Sequence, residues 1–128
     1  MQIKVGTDVV EVKRIKAAYE RHGRKFFERF LDAEEINYAY NNKQAKYNYS
    51  TVAGLYAAKE ALSKALGTGI AAGIKFHEIK IAHDQEQAPF YKLSGETAKK
   101  FKELGFTKHS LSISHDAGIS IAVCVIYS

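Results

Sequence analysis

The stretch from Ser120 to Tyr127 is apolar on both sides of its two-residue period. Ile121, Val123 and Val125 fall on one face of such a strand, and Ala122, Cys124 and Ile126 on the other. A strand with one wet face alternates apolar with polar residues, so this one needs cover on both sides. It is either a central strand or one covered by a neighbouring subunit. Ser110–His115 precedes it across Asp116-Ala117-Gly118, which gives a hairpin. Near the N-terminus, Ile3, Val5 and Thr7 alternate with Lys4 and Gly6, predicting a third strand at 2–7.

Cover for that sheet has to come from helices, and the longest helical pattern runs from about 50 to 66. Val52, Leu55, Tyr56, the Lys59 stem, Leu62 and Leu66 make its inward stripe, with Gly67 in the C-cap position. Glu60 and Lys64 lie one turn apart on one face, at a rise of ~1.5 Å per residue. Ala53 and Ala57 extend that face backwards, so a ligand or a strand can approach closely. On spacing alone the pair is equally an exposed i,i+4 contact worth about 0.2–0.5 kcal/mol.

Shorter elements fill the rest of the chain. A helix at about 12–22 is ended by Gly23, and a short one spans 24–31. Asp32 with Glu35 makes a capping box for another at about 33–41, and Asn41–Asn48 reads as a polar loop. Glu78–His83 and Phe90–Leu93 are strands joined by a turn, Asp84–Pro89. Ser94 caps a helix carrying Ala98, Phe101 and Leu104 on one face, stopped by Gly105. There is no linker and no internal repeat. The expectation is a single α+β domain over residues 1–128, with a mostly antiparallel sheet packed on one long helix and several shorter ones.

Composition excludes more than it selects. With 46% apolar residues, 26% charged and one proline, the 128-residue chain reads as an ordinary globular protein. No apolar run is long enough for a membrane span, and no signal core stands at the N-terminus, so a cytosolic protein is expected. Cys124, the only cysteine, has no disulfide partner and reads as a buried structural thiol. His22, His77, His83 and His109 show no metal-ligand spacing and read as surface residues.

Charge is concentrated rather than spread. Residues 13–29 carry Lys13, Arg14, Lys16, Arg21, Arg24, Lys25 and Arg29 against Glu20 and Glu28, a net +5 that equals the charge of the whole chain. All four arginines lie in this window. Arginine's planar fork suits carboxylates and phosphates, so the cluster reads as a docking face for an acidic partner. A polyanion such as RNA fits the charge as well. Phe26, Phe27 and Phe30 beside it read as a hydrophobic anchor as much as a base-stacking platform. Asp8, where the first strand pattern gives out, reads alone as a helix cap. Together with Glu60 it supplies the two carboxylates that Mg²⁺ takes alongside phosphate oxygens.

Four motifs in order carry a resemblance. Gly6-Thr7-Asp8-Val9-Val10-Glu11 comes first. Ala53-Gly54 runs into Ala57-Ala58-Lys59-Glu60-Ala61 and Ser63-Lys64-Ala65. Gly67-Thr68-Gly69-Ile70 and Ser112-Ile113-Ser114-His115 follow. They resemble the holo-[acyl-carrier-protein] synthases, the small bacterial branch of the phosphopantetheinyl transferases, over nearly the whole chain. The resemblance implies transfer of the phosphopantetheine arm of coenzyme A onto a serine of apo acyl carrier protein, in support of fatty acid biosynthesis. It implies Asp8 and Glu60 as Mg²⁺ ligands, with the serine base left between Glu60 and a water on the ion. Lys64 would neutralise the diphosphate, and Gly67, Thr68 and Gly69 would bring donors to the nucleotide. Ser112, Ser114 and His115 would line the coenzyme A pocket. Arg14 and Arg24, supported by Arg21 and Arg29, would receive the acidic carrier protein, with no role for nucleic acid or membrane. A homotrimer with active sites at subunit interfaces is implied too.

The chain also departs from that pattern. Leu55 and Tyr56 stand where an arginine and a phenylalanine are usual, which puts one charge contact in doubt, with Lys43 or Lys46 as replacements. Gln87-Ala88-Pro89 replaces the usual Gly-Lys-Pro turn. None of these changes touches Asp8, Glu60 or Lys64.

Overall fold

A computed structural model describes residues 1–70 and 72–128. In chain order the elements are β1 (Ile3–Glu11), α1 (Val12–His22), α2 (Arg24–Glu28), α3 (Ala33–Tyr38), β2 (Tyr40–Asn41) and β3 (Lys46–Tyr47). There follow α4 (Tyr49–Ala65), a single 3-10 turn at Phe76–Glu78, β4 (Ile79–His83), β5 (Pro89–Leu93), α5 (Gly95–Glu103), β6 (Lys108–Asp116) and β7 (Ile119–Tyr127). Strand pairing is antiparallel throughout, in the order β1-β7-β6, with β2-β3 and β4-β5 as separate hairpins. The architecture is the expected α+β, and the strand apolar on both faces is central.

The β6–β7 hairpin turns through Ala117 and Gly118, both at positive φ (52° and 79°). Two such residues give the tight turn whose twist matches the flanking strands. β1 outlasts its alternating pattern: it pairs with β7 over nine residues, from Ile3 opposite Tyr127 to Glu11 opposite Ile119. Asp8 therefore sits inside the strand, opposite Ala122, and not at its end. Part of the loop expected at 41–48 is the β2–β3 ribbon, which shortens α3.

α4 is buried nearly all round. Val52, Ala53, Leu55, Ala57, Ala58, Ala61 and Leu62 are each at most 2% exposed, so the expected single stripe is too narrow. Tyr56 leaves that stripe and is only half-buried. The Asn48 side chain caps the helix on the Thr51 amide at 3.1 Å. Gly67, at φ 88°, closes it with its N–H on the Lys64 carbonyl at 2.9 Å. On β7 the α4 face carries Ser120, Ala122, Cys124 and Ile126, all 0% exposed. Cys124 is the buried free thiol expected.

Gly6 brings β1 and α4 together. A Cβ at this position would overlap the Ala61 carbonyl and stand 2.8 Å from the Ala65 nitrogen. Both obstacles are backbone, which cannot swing aside. Gly6→Ala should cost about 3 kcal/mol, read as a fall in Tm of roughly 10 °C by calorimetry.

Several local expectations give way to long-range contacts. Phe27 and Phe30 are core residues, 0% and 2% exposed, so only half-buried Phe26 is left of the proposed surface anchor. Ser94 precedes α5 without a side-chain cap. The Glu78 carboxylate takes that place, accepting from the Glu96 and Thr97 amides at 3.3 and 3.1 Å. Leu104 turns outward, 41% exposed. His83 and His109 are half-buried, not surface residues.

An ion pair lies inside the core. Lys59 Nζ donates to Glu35 Oε1 at 2.8 Å and to the Phe30 carbonyl at 2.6 Å. Glu35 Oε2 accepts from the Ile81 amide at 2.9 Å, and its Oε1 completes the capping box on the Asp32 amide at 2.9 Å. The pair joins α3, α4 and β4. Burial pushes the Lys59 ammonium below its usual range, against the pull of Glu35.

Candidate active site

The strand register decides what meets α4. Gly6, Asp8 and Val10 pair with Cys124, Ala122 and Ser120, so all share the sheet face that α4 covers. Asp8 thereby reaches Lys64, whose Nζ lies 3.0 Å from Asp8 Oδ1. Both line a cavity of about 420 Å³ together with Glu60, Tyr56, Arg14 and Phe26. Tyr56, Glu60 and Lys64 are successive i,i+4 positions, one row of side chains along a single helix face. That spacing is the signal by which Tyr56 is legible as a site residue, and the sequence reading missed it.

Electrostatics in the cavity are unbalanced. Burial first, then the neighbouring Asp8 charge, raises the Glu60 carboxyl above the usual carboxylate range; the Tyr56 hydroxyl and the Lys64 ammonium oppose the shift. A Glu60 carboxylate whose ionisation burial and the Asp8 charge disfavour fits a divalent cation held by both acids. Among the described residues no group of three or more His, Cys, Asp or Glu side chains is placed to hold a metal. A cation here would rely on two carboxylates plus ligand oxygens, the pattern Mg²⁺ accepts.

The other residues singled out from the sequence fall elsewhere. Ser112 and Ser114 pair with Val123 and Ile121 and so face away from α4, on the outer face of the sheet. His115 borders a second cavity of about 240 Å³, with Tyr38, Leu55, His83 and Pro89. The helix positions of the two cavities, Leu55 and Lys64, are about 13 Å apart along the axis. Tyr38 and His83 stack there with centroids 4.1 Å apart, a pairing with no local sequence signal. Thr68 and Gly69 follow α4 directly, their amides on the Ser63 carbonyl. Arg14 borders the first cavity. Arg21, Arg24 and Arg29 are exposed outside its lining, and Arg24 pairs with Glu28 at 3.2 Å.

This fold, with an acid from β1 meeting an acid and a lysine of α4, has clear relatives. Residues 4–124 match the 4'-phosphopantetheinyl transferase superfamily, and the chain belongs to it. Within that class it is 44% identical over 126 residues to a holo-[acyl-carrier-protein] synthase of Sulfurovum sp. (strain NBC37-1), covering 97% of this chain and 96% of the relative. The Helicobacter pylori holo-[acyl-carrier-protein] synthase, solved in complex with coenzyme A, superposes with a TM-score of 0.82 at 40% identity, covering 95% of this chain and 98% of that one. The enzyme of the same name from Neisseria meningitidis gives 0.85 at 34%, covering 98% of each chain. The chain is a member of the holo-[acyl-carrier-protein] synthase family.

Proposed function

We propose that this chain transfers the 4'-phosphopantetheine arm of coenzyme A to a serine of apo acyl carrier protein in the cytoplasm, releasing adenosine 3',5'-bisphosphate and serving fatty acid biosynthesis. The observation that carries this reading is the convergence of Asp8, Glu60 and Lys64 from two elements in one cavity. Attack on a diphosphate needs charge neutralisation, in-line positioning and a path for the serine proton. Asp8 and Glu60 are the residues that would hold Mg²⁺, which when bound neutralises phosphate charge. Lys64, half-exposed at the cavity mouth, exchanges Asp8 for phosphate oxygens when substrate enters. The serine proton would leave to Glu60, whose carboxyl is raised by burial and by Asp8, or to a water that the ion would hold. Thr68 and the flanking Gly67 and Gly69 allow a nucleotide's phosphates close backbone approach. No helix among the described residues is long and apolar enough to cross a membrane.

The site is completed between subunits of a homotrimer. On the outer face of the sheet Ile3, Val5, Val9 and Val123 are 57%, 58%, 56% and 40% exposed, a contiguous apolar face of the kind that subunits cover. Ser112 and Ser114 open onto the same face. The His115 cavity, remote from Asp8 within one chain, supplies the coenzyme A contacts to a neighbour's Glu60. Arg14, beside the first cavity, receives the acidic carrier protein, with Arg21, Arg24 and Arg29 guiding its approach. Arg14→Glu should raise KM for the carrier protein roughly tenfold while leaving KM for coenzyme A within twofold. Steady-state kinetics at two salt concentrations checks this, because the loss shrinks as salt screens the contact.

Intact-mass spectrometry of apo acyl carrier protein incubated with the enzyme, coenzyme A and Mg²⁺ tests the reaction. A gain of one phosphopantetheine arm, lost with EDTA, is the expected result. No gain on several apo carrier proteins overturns the assignment.

A further inference from the structure

A third cavity, of about 610 Å³, opens between α5 and the start of β6 and shares no lining residue with the Asp8–Glu60 cavity. Its floor is Leu93, Ala98, Phe101 and Phe106; Phe101 and Phe106 are 9% and 3% exposed, with ring centroids 5.8 Å apart. Lys99 and Lys102, both exposed, border it one turn apart on α5. Lys99 reaches Glu103 only at 4.0 Å, and the Lys102 ammonium has no ion-pair partner among the described residues. The cavity is thus apolar at its base and cationic at its edge.

His109 gives the edge a direction. Its Nε2 accepts the Tyr91 amide proton at 3.0 Å. A nitrogen that accepts cannot also carry the proton, so the neutral ring holds its N–H at Nδ1. That N–H has no acceptor among the described residues, and the ring borders the cavity. Burial lowers the His109 pKa, which keeps the ring in this neutral tautomer at physiological pH. One fixed donor and two ammonium groups above an apolar floor match a ligand with one anionic end and a hydrocarbon body.

We infer that this cavity binds a medium-chain alkyl carboxylate, its hydrocarbon on Phe101, Phe106 and Leu93 and its carboxylate between His109 Nδ1, Lys99 and Lys102. The contacts follow from the residue types. The long lysine stems lie along apolar surface while their heads stay in water, and a carboxylate accepts from all three donors.

Decanoate, kept below its micelle concentration, is the probe, titrated into the ¹⁵N-labelled full-length protein. Shifts confined to the amides of Leu93, Ala98 and Phe106 and to the His109 side chain, with Lys99→Gln/Lys102→Gln weakening binding at least tenfold, are expected. The neutral analogue decanol should bind at least tenfold more weakly than decanoate. Both lysines are exposed, so the double variant folds, and its unchanged transferase activity verifies that. Absence of shifts, shifts centred elsewhere, equal binding by the double variant, or equal binding of decanol would each overturn the assignment.

Discussion

Glu60→Gln should lower kcat for phosphopantetheine transfer about a thousandfold or more, because the proposed function makes Glu60 a cation ligand beside the path of the serine proton. The same variant should be slightly more stable than the parent near neutral pH. Glu60 has its folded-state carboxyl raised by burial and by Asp8. An acid raised on folding favours the folded state while protonated; that contribution is lost as pH rises through the folded pKa, so at neutral pH the ionised group opposes folding. Glutamine is neutral at every pH and removes the opposition. Thermal melts of the metal-free proteins at pH 5 and pH 8 test this directly: the advantage of the Glu60→Gln variant should be visible at pH 8 and shrink at pH 5. Equal activity of the two proteins would remove Glu60 from the mechanism, whatever the melts show.

The second large effect belongs to the buried ion pair. Lys59→Met should destabilise the protein by about 3–5 kcal/mol, because it strands the Glu35 carboxylate, 2% exposed, without its cation. Removing both charges together, as Lys59→Met with Glu35→Leu, should cost less than the single change, since no ion then remains buried. Denaturant melts of the two single variants and the double one measure the coupling. Additive losses would mean that the pair contributes nothing beyond its separate hydrogen bonds to the Phe30 carbonyl and the Ile81 amide.

How far the sequence is legible depends on the range over which each feature is determined. The need of β7 for cover on both faces, the helix carrying Glu60 and Lys64, the Asp32–Glu35 capping box and the glycine after α4 all follow from patterns within a few residues, and the structure contains each of them, with β7 central. Features set by partners distant in sequence do not follow. Glu78 caps α5 in place of Ser94 because the fold brings it there across 18 residues. Ser112 and His115, close in sequence, open onto opposite sheet faces because register alone decides the face. Lys59 reads in sequence as a stem on the inward stripe, yet its whole side chain is 1% exposed, a burial that the remote Glu35 and the Phe30 carbonyl make tolerable. Phe27 and Phe30, next to the arginines in sequence, point the other way, into the core.

Gly6 links two properties that are usually engineered separately. Because α4 lies directly on the backbone of β1 there, a residue that contributes no atoms sets the distance between Asp8, two positions along the strand, and Glu60 on the helix. Any side chain at position 6 acts as a wedge between the two elements bearing the acids. Compensating mutations chosen for thermal stability can restore the fold of such a variant without restoring the gap between the carboxylates. Selection for folding and selection for turnover thus converge on one glycine, and a screen that reads only one of them would miss the other.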